Sequence, residues 1–436
     1  MRVELEIEDL APGGEALGRA AGRPVYVPFA APGDRVEVEL PPGDGPAHAE
    51  LLRVLRPGAA RVQPPCRHFG PGDGGDGSDR ECGGCEWLHV DYARQLAAKE
   101  RSFAETLRRI GRLAPGSYPL RPIVPSPAPL RYRCRAKLHL DRARGRLAFF
   151  RRRSHAPVPL SECHLLEPGL DALREALGPA LTQARLAARE VRLEWSEAQG
   201  RGAAALELPE VTPAVGRRAE GLLRLVPGLA GLVLLREGRP PVLVGDPVLR
   251  HLRDPADPAA GLQRSRPDVF QQANRGANAI LVREALALLR PAGARVLELY
   301  CGAGNFTGPI ARGAAAVTAV EGQGPSLELA RRDLAGAPVR FVSGDALAVA
   351  GGLAREPSGP RFEAALLDPP RDGARGVGPL LSRLGVVRAV YVSCDPATFA
   401  RDLRGCVEAG YRVGAVRPFD LFPQTHHVEG LALLER

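Results

Sequence analysis

Arg295-Val-Leu-Glu-Leu-Tyr-Cys-Gly-Ala-Gly-Asn-Phe-Thr307 decides the fold. Its first half is a short apolar run that reads as a buried strand, and it breaks at Gly302-Ala-Gly304, where two glycines let the backbone pass close beneath a ligand at the strand's end. Upstream, Gly276–Leu289 has the spacing of an amphipathic helix. Downstream, strands are expected at Ala315–Val320, Val339–Val342, Phe362–Leu367, Val387–Val392, Tyr411–Val416 and Val428–Leu434, with helices near 305–312, 324–335, 375–383 and 397–409. Strand and helix in alternation over about 160 residues predict a doubly wound α/β domain.

The strand ends of that domain carry acids. Glu321 closes the second strand, about 20 residues after the glycine turn, where such a sheet places its ribose-hydroxyl acceptor. Asp345 closes the third, and Asp368-Pro-Pro-Arg-Asp-Gly373 follows the fourth. An acidic rim suits S-adenosylmethionine, which has hydroxyls, an amine and a sulfonium but no phosphate, better than a dinucleotide, so a methyltransferase is favoured over a dehydrogenase. The fifth strand runs into Tyr391-Val-Ser-Cys-Asp-Pro-Ala-Thr398. That puts the Cys394 thiol at the mouth of the same crevice, where a following helix N-terminus is placed to lower its pKa.

The chain has 436 residues, enough for two to four domains at roughly 100–200 residues each. Composition, 44% hydrophobic and 25% charged, excludes a disordered chain or a disulfide-stapled miniature. The longest uncharged apolar run, Leu225 to Leu235, is too short to cross a bilayer, and the N-terminus lacks the apolar stretch of a secretory signal. A cytoplasmic location, with no membrane partner, is expected. The first 55 or so residues alternate charge and apolar groups in short segments broken by Pro12-Gly-Gly14 and Pro32-Gly-Asp34, the pattern of a small OB-like β-barrel. A loop at Gly70–Asp79, a helix near Tyr92–Ile110 and a Pro-rich linker at Pro115–Pro129 follow.

Net charge is +9, and between Arg131 and Arg153 ten cations face one acid, Asp141, so this stretch holds the chain's whole excess. The preference for Arg is itself uninformative, since Lys occurs only at 99 and 137 in a chain also rich in Ala, Gly and Pro. Arg131, Arg133, Arg135, Lys137 and His139 alternate with Tyr132, Cys134, Ala136, Leu138 and Leu140, which predicts a hairpin with one cationic face suited to an RNA backbone. Strands at 191–208 and 231–245 extend a mixed α+β domain to about residue 255. Cys82-Gly-Gly-Cys85, with Cys66 upstream and Cys163 downstream, supplies four thiolates for zinc or a [4Fe–4S] cluster, and spacing alone leans to zinc. Disulfides are not expected in the cytoplasm.

Five segments in order then carry a resemblance: Phe270-Gln-Gln-Ala-Asn274, Leu297–Thr307, Asp368–Gly373, Tyr391–Thr398 and Asp420-Leu-Phe-Pro-Gln-Thr-His-His-Val-Glu429. Together they resemble the RNA uracil-5-methyltransferase family, and the N-terminal barrel resembles the TRAM domain that many of its members carry. The resemblance implies a Rossmann-like class I methyltransferase domain at 256–436, a TRAM barrel at 1–58, and between them, at 59–255, a central domain with the cysteines and the basic hairpin. It implies methyl transfer from S-adenosylmethionine to C5 of a uridine, with Cys394 adding to C6 and Glu429 removing the C5 proton. His427, not His426, matches the family's histidine beside that base.

The same matching has Gln272, Tyr300, Gly302, Asn305, Glu321, Asp345 and Asp368 bind or border S-adenosylmethionine. It has Cys66, Cys82, Cys85 and Cys163 hold [4Fe–4S], although fifteen residues separate Cys66 from Cys82 where the family has a short spacer. Barrel plus cluster resembles the 23S ribosomal RNA enzymes more than the shorter transfer RNA enzymes, and a monomer is expected. A rival RNA cytosine-5-methyltransferase would need a second cysteine where Asp368-Pro-Pro-Arg stands. A non-catalytic RNA-binding or ribosome-assembly factor would have no need of Cys394 and Glu429.

Overall fold

The structure, a computed structural model, describes residues 1–72, 79–356 and 359–436. The loop expected at 70–79 therefore falls, over 73–78, outside the described residues. Strands β1 (Arg295–Leu299), β2 (Ala316–Glu321), β3 (Val339–Ser343), β4 (Ala364–Leu367), β5 (Arg388–Ser393), β6 (Arg412–Phe419) and β7 (Glu429–Glu435) form one sheet in the order β3-β2-β1-β4-β5-β7-β6. The first five run parallel, and β7 lies antiparallel between β5 and β6. Strand order reverses between β1 and β4, which opens a crevice at their carboxyl ends. β4 is buried at every position, so it reads as an unbroken apolar run without alternation. The helix Ala346–Arg355 was not among the expected elements; Gly351 and Gly352 obscure its helical pattern, while Asp345 caps its start through the Ala348 N–H.

One face of this sheet is completed from far upstream. Asp91 caps the helix Tyr92–Arg109, whose Phe103 and Leu107 are fully buried among Leu299, Leu367, Phe399 and Leu403. Leu120 and Val124 then bridge in parallel to Val416 and Phe419, covering the free edge of β6. Residues 92–124, which lie inside the span expected for the central domain, thus pack on the α/β sheet. The hold is partly ionic. Lys99 Nζ lies 2.6 Å from Asp420 Oδ1 with neither side chain exposed, and it also donates to the Phe422 carbonyl at 3.0 Å. Tyr92 donates its hydroxyl to Asp420 Oδ2 at 2.9 Å.

The N-terminal sheet has the order 47–48, 23–27, 16–20, 2–10, 35–39, 50–56. Its two edges, Ala47–His48 and Glu50–Arg56, are separated only by Ala49, so the sheet curls into a closed barrel around Leu5, Ile7, Val25, Val27, Val36 and Val38. The central domain is a seven-stranded sheet in which Arg201–Glu207 and Leu229–Leu235 are parallel neighbours joined through the helix Pro213–Leu225. All its other neighbouring strands are antiparallel.

The basic stretch requires a correction. Tyr132, Cys134, Ala136 and Leu138 are buried, as the alternation predicts, but the opposite face is not a free cationic surface. Arg135 donates to the Gln271 and Pro267 carbonyls, Lys137 pairs with Glu190 at 2.5 Å, and Arg152 pairs with Glu15 of the barrel at 3.0 Å. Neighbouring segments fold over that face and use its charge. The exposed cations are Arg131 and Lys137 on that face and, at the hairpin's tip and exit, Arg142, Arg144, Arg146 and Arg153.

Removing one partner of the Lys99–Asp420 pair leaves a buried uncompensated charge. Lys99→Met is expected to cost about 3–5 kcal/mol in denaturant unfolding, and the double variant Lys99→Met/Asp420→Leu to regain part of that loss.

Candidate active site

The glycine turn after β1 is held from below and open above. Tyr300, Gly302 and Gly304 all adopt positive φ, at 63°, 55° and 85°, and a Cβ added at Gly302 would meet nothing within 4 Å. Glu321, at the end of β2, accepts the Gly302 N–H at 2.9 Å and the Gln323 N–H at 2.7 Å, so one carboxylate shapes the turn while keeping lone pairs toward the crevice. Asn305 exchanges two amide hydrogen bonds with Asn278, at 2.9 and 3.0 Å, which pins the turn to the helix Arg275–Leu289. The Arg253 guanidinium and the Gln263 amide donate to the carbonyls of Gly304 and Ala303. Of the residues expected around the cofactor, Tyr300, Gly302, Asn305 and Glu321 share this turn, Asp345 and Asp368 end the flanking strands β3 and β4, and Gln272 lies on the strap 267–274 held by Arg135.

Cys394 and Glu429 meet because of strand register. Ser393, the last residue of β5, pairs with Gly430, so the next position along each strand sets Cys394 opposite Glu429. Gly430 is required there, since a Cβ would lie 2.9 Å from Phe399 and 3.0 Å from Phe103. Glu429 is 1% exposed and neither carboxylate oxygen has a hydrogen-bond partner among the described residues. Burial, with Asp368 adding to it, pushes its pKa up to about 8. Asp368 is pushed up to about 7 by burial. The Cys394 thiol is pushed up to about 12, first by burial and then by Glu429 and Asp368.

The expectation of a depressed thiol pKa is therefore corrected. Asp395 caps the following helix, accepting the Thr398 N–H at 2.8 Å, and burial, with the two carboxyl groups behind it, outweighs what the helix end offers. The cationic neighbour is Arg371, whose guanidinium lowers both Cys394 and Glu429. Its loop is anchored by the Ala374 N–H on Asp402 at 2.7 Å, by Tyr391 on the same oxygen at 2.7 Å, and by Arg401 on the Asp372 carbonyl.

Arg371 stood inside a quoted motif without being assigned a role, because only the fold shows whose field it modifies. Glu298 was missed in the same way. It is fully buried beneath the glycine turn, has no hydrogen-bond partner among the described residues, and is raised to about 8 by burial. His427 is lowered to about 4, mainly by burial and then by His426 and Arg371, so it stands neutral.

The four cysteines Cys66, Cys82, Cys85 and Cys163 line one cavity together with Leu88, Phe149, Leu160 and Leu165. All four are free thiols, and burial pushes Cys82 up to about 12. Arg133 lies close enough to lower Cys82, Cys85 and Cys163 against that burial. Among the described residues, no group of three or more His, Cys, Asp or Glu side chains is arranged to hold a single metal ion.

A sheet of order 3-2-1-4-5-7-6 with an open glycine turn and an acidic rim defines a class I S-adenosylmethionine-dependent methyltransferase. Residues 260–344 and 359–436 match the family described as tRNA (Uracil-5-)-methyltransferase, and residues 2–40 match the TRAM domain. A 23S rRNA (uracil(1939)-C(5))-methyltransferase of Alkalilimnicola ehrlichii is 35% identical over 99% of this chain and 96% of its own. The enzyme of the same description from Pseudomonas entomophila is 34% identical over 99% and 93%. The crystal structure of Pyrococcus abyssi tRNA (uracil-54, C5)-methyltransferase with S-adenosyl-L-homocysteine covers both chains completely, with a TM-score of 0.73 at 23% identity. The chain belongs to the family of S-adenosylmethionine-dependent RNA uracil-C5 methyltransferases.

Between about pH 4.5 and 8 the folded protein keeps a proton on Glu429 that the unfolded chain has lost, so stability falls as pH rises through that window. Glu429→Gln removes this penalty. The variant is expected to match the parent in thermal unfolding at pH 4 and to exceed it at pH 8.5 by on the order of 1–3 kcal/mol.

Proposed function

We propose that this chain methylates C5 of a uridine in 23S ribosomal RNA through a covalent adduct between Cys394 and C6, with Glu429 as the base. The observation that carries the reading is the buried, unpartnered Glu429 carboxyl set across the strand pair from Cys394. A buried polar group without a partner is costly, and a substrate that arrives to complete its bonding removes the cost. S-adenosylmethionine, when bound, supplies an electrophilic methyl on a cationic sulfur. Tyr300, Gly302, Asn305, Glu321, Asp345, Asp368 and Gln272 would hold or border it.

Uracil C5 is too weak a nucleophile unassisted. Addition of the Cys394 thiolate to C6 moves the C5–C6 π electrons onto C5 and the C4 carbonyl, and C5 then takes the methyl. The Glu429 carboxylate removes the C5 proton, the electron pair re-forms the C5–C6 double bond, and the C6–S bond breaks to return the thiolate. Both groups are mainly protonated in the empty site, so a cation at the acidic rim and the Arg371 guanidinium favour the ionised forms that the chemistry needs. Single-turnover rates are expected to rise from pH 6 and to keep rising past pH 8, where Glu429 is ionised but the Cys394 thiol, pushed up to about 12, still is not.

Ribosomal RNA is favoured over transfer RNA because the Alkalilimnicola ehrlichii and Pseudomonas entomophila relatives, matched over nearly their whole length, are 23S enzymes, while the archaeal transfer RNA enzyme shares the fold at 23% identity. C5 and C6 of a stacked base are enclosed, so the target is unpaired or flipped. The exposed Arg142, Arg144, Arg146 and Arg153 and the barrel would hold the flanking backbone. The reading places the enzyme in the cytoplasm, as a monomer, with domains at 1–58, 59–255 and 256–436, residues 92–124 being packed on the last of these.

For the cysteines, we favour [4Fe–4S] over zinc. All four ligands are thiols facing one largely apolar cavity, and a cluster, being larger than one ion, does not need them to converge on a point. When bound it would supply structural cross-linking between residues 66–85 and Cys163, and Arg133 would offset its negative charge.

Two tests follow from this. With labelled S-adenosylmethionine and 5-fluorouridine-substituted 23S fragments, where fluorine cannot leave as a proton, a methyl-labelled protein–RNA adduct is expected on a denaturing gel. It should be absent with Cys394→Ala, and an adduct formed on transfer RNA alone would overturn the substrate choice. Anaerobically purified protein is expected to carry about four irons per chain with broad visible absorbance, both lost in Cys85→Ala.

A further inference from the structure

The loop that delivers Glu429, residues 420–428, is fastened from outside the methyltransferase sheet. Gln424 holds a left-handed φ of 68°, a conformation that a side chain other than glycine keeps only when its surroundings impose it. Here they do. Its carbonyl accepts the N–H groups of Glu86 and Trp87 at 2.8 and 3.0 Å, its N–H donates to Gln95 Oε1 at 3.0 Å, and its side-chain oxygen accepts from Gln95 Nε2 at 2.9 Å. Glu86 directly follows Cys85, and its Oε2 accepts both the His426 N–H at 2.9 Å and the His426 Nδ1–H at 2.6 Å. The barrel closes the junction from behind. Gly14, at φ 87°, leaves room for the carboxylate, since a Cβ there would lie 2.8 Å from Glu86 Oε2, and its carbonyl accepts the Trp87 indole N–H at 2.8 Å.

His426 had no part in the motif match, and Glu86 touches none of the reacting groups. We infer that Glu86 is a positioning residue for proton removal: by gripping His426 at two atoms it fixes the chain three residues before Glu429 and so aims that carboxyl at C5. His426 in turn backs His427, with ring centroids 4.3 Å apart. This rests on the assignment of Glu429 as the base.

A positioning role makes a prediction that loss of stability does not. If Glu429 is mis-aimed, addition and methyl transfer proceed while elimination stalls, so methylated adduct accumulates on RNA carrying ordinary uridine. Glu86→Ala is expected to lower kcat by about 10–100-fold, leave the KM for S-adenosylmethionine within about twofold, and accumulate that adduct on a denaturing gel. Glu86→Gln, whose amide oxygen still accepts the backbone N–H, should recover most of the rate. S-adenosylhomocysteine binding by calorimetry and the thermal midpoint confirm that each variant is folded. Should Glu86→Ala not fold, Glu86→Gln against His426→Ala, which leaves the segment after Cys85 intact, carries the same comparison with the larger stall in His426→Ala.

Glu429→Gln run in parallel separates the two readings. Adduct in Glu429→Gln but not in the Glu86 or His426 variants overturns the positioning role alone, as does a parallel fall of adduct and product. No adduct in Glu429→Gln overturns the base assignment beneath it.

Discussion

The buried ion pair between Lys99 and Asp420 joins the two ends of the chain, and the site is built around it. Asp420 opens the loop that ends at Glu429, while Lys99 lies in the middle of the helix Tyr92–Arg109. In a chain where nearly every cation is Arg, this one is Lys. An ammonium is compact and donates in several directions, so it can serve the Asp420 carboxylate and the Phe422 carbonyl in a space with no exposure, where a planar guanidinium fork would have to be accommodated whole. Such a pair is costly to desolvate and more costly to break, which makes it a device of register more than of net stability. It fixes where the loop leaves β6, and the Phe103–Phe399 contact beneath Gly430 fixes where it enters β7.

Between those anchors the site stores charge at a cost. Glu429, Asp368 and Glu298 are all carboxyl groups whose burial raises their pKa, and two of them lack hydrogen-bond partners among the described residues. In the empty protein they oppose folding at neutral pH. The proposed chemistry uses a cationic methyl donor and a nucleophile that must become an anion, and the acids at the strand ends and the Arg371 guanidinium answer those two demands. The raised thiol of Cys394 follows from the same arrangement: a resting site with a neutral thiol is protected from side reactions until substrate changes the local field.

The three large sheets are not beads on a string. Arg135 of the central sheet holds the strap that carries Gln272, Arg152 reaches Glu15 of the barrel, and the segment after Cys85 grips the loop before Glu429. Much of the charge that looks like an RNA surface in one dimension is spent on these internal seams. What remains exposed is Arg131 and Lys137 on the strand face and the arginines at the hairpin's tip and exit.

The sequence by itself determined the α/β class, the glycine turn, the acids that end its strands and the two residues, Cys394 and Glu429, that the proposed chemistry uses. These are legible because period, turn glycines and strand-end position are local properties, read within about ten residues. Tertiary structure alone decided that residues 92–124 belong with a sheet more than 170 residues downstream, that Arg133 and Arg135 face inward, that Arg371 and Glu298 matter, and that Glu86 and His426 meet across 340 positions. Pattern shows which face of a strand is apolar, but not which distant segment will cover the other face. A pKa is set by desolvation and by neighbours that only the folded chain brings together, which is why the thiol expected to be acidic is not.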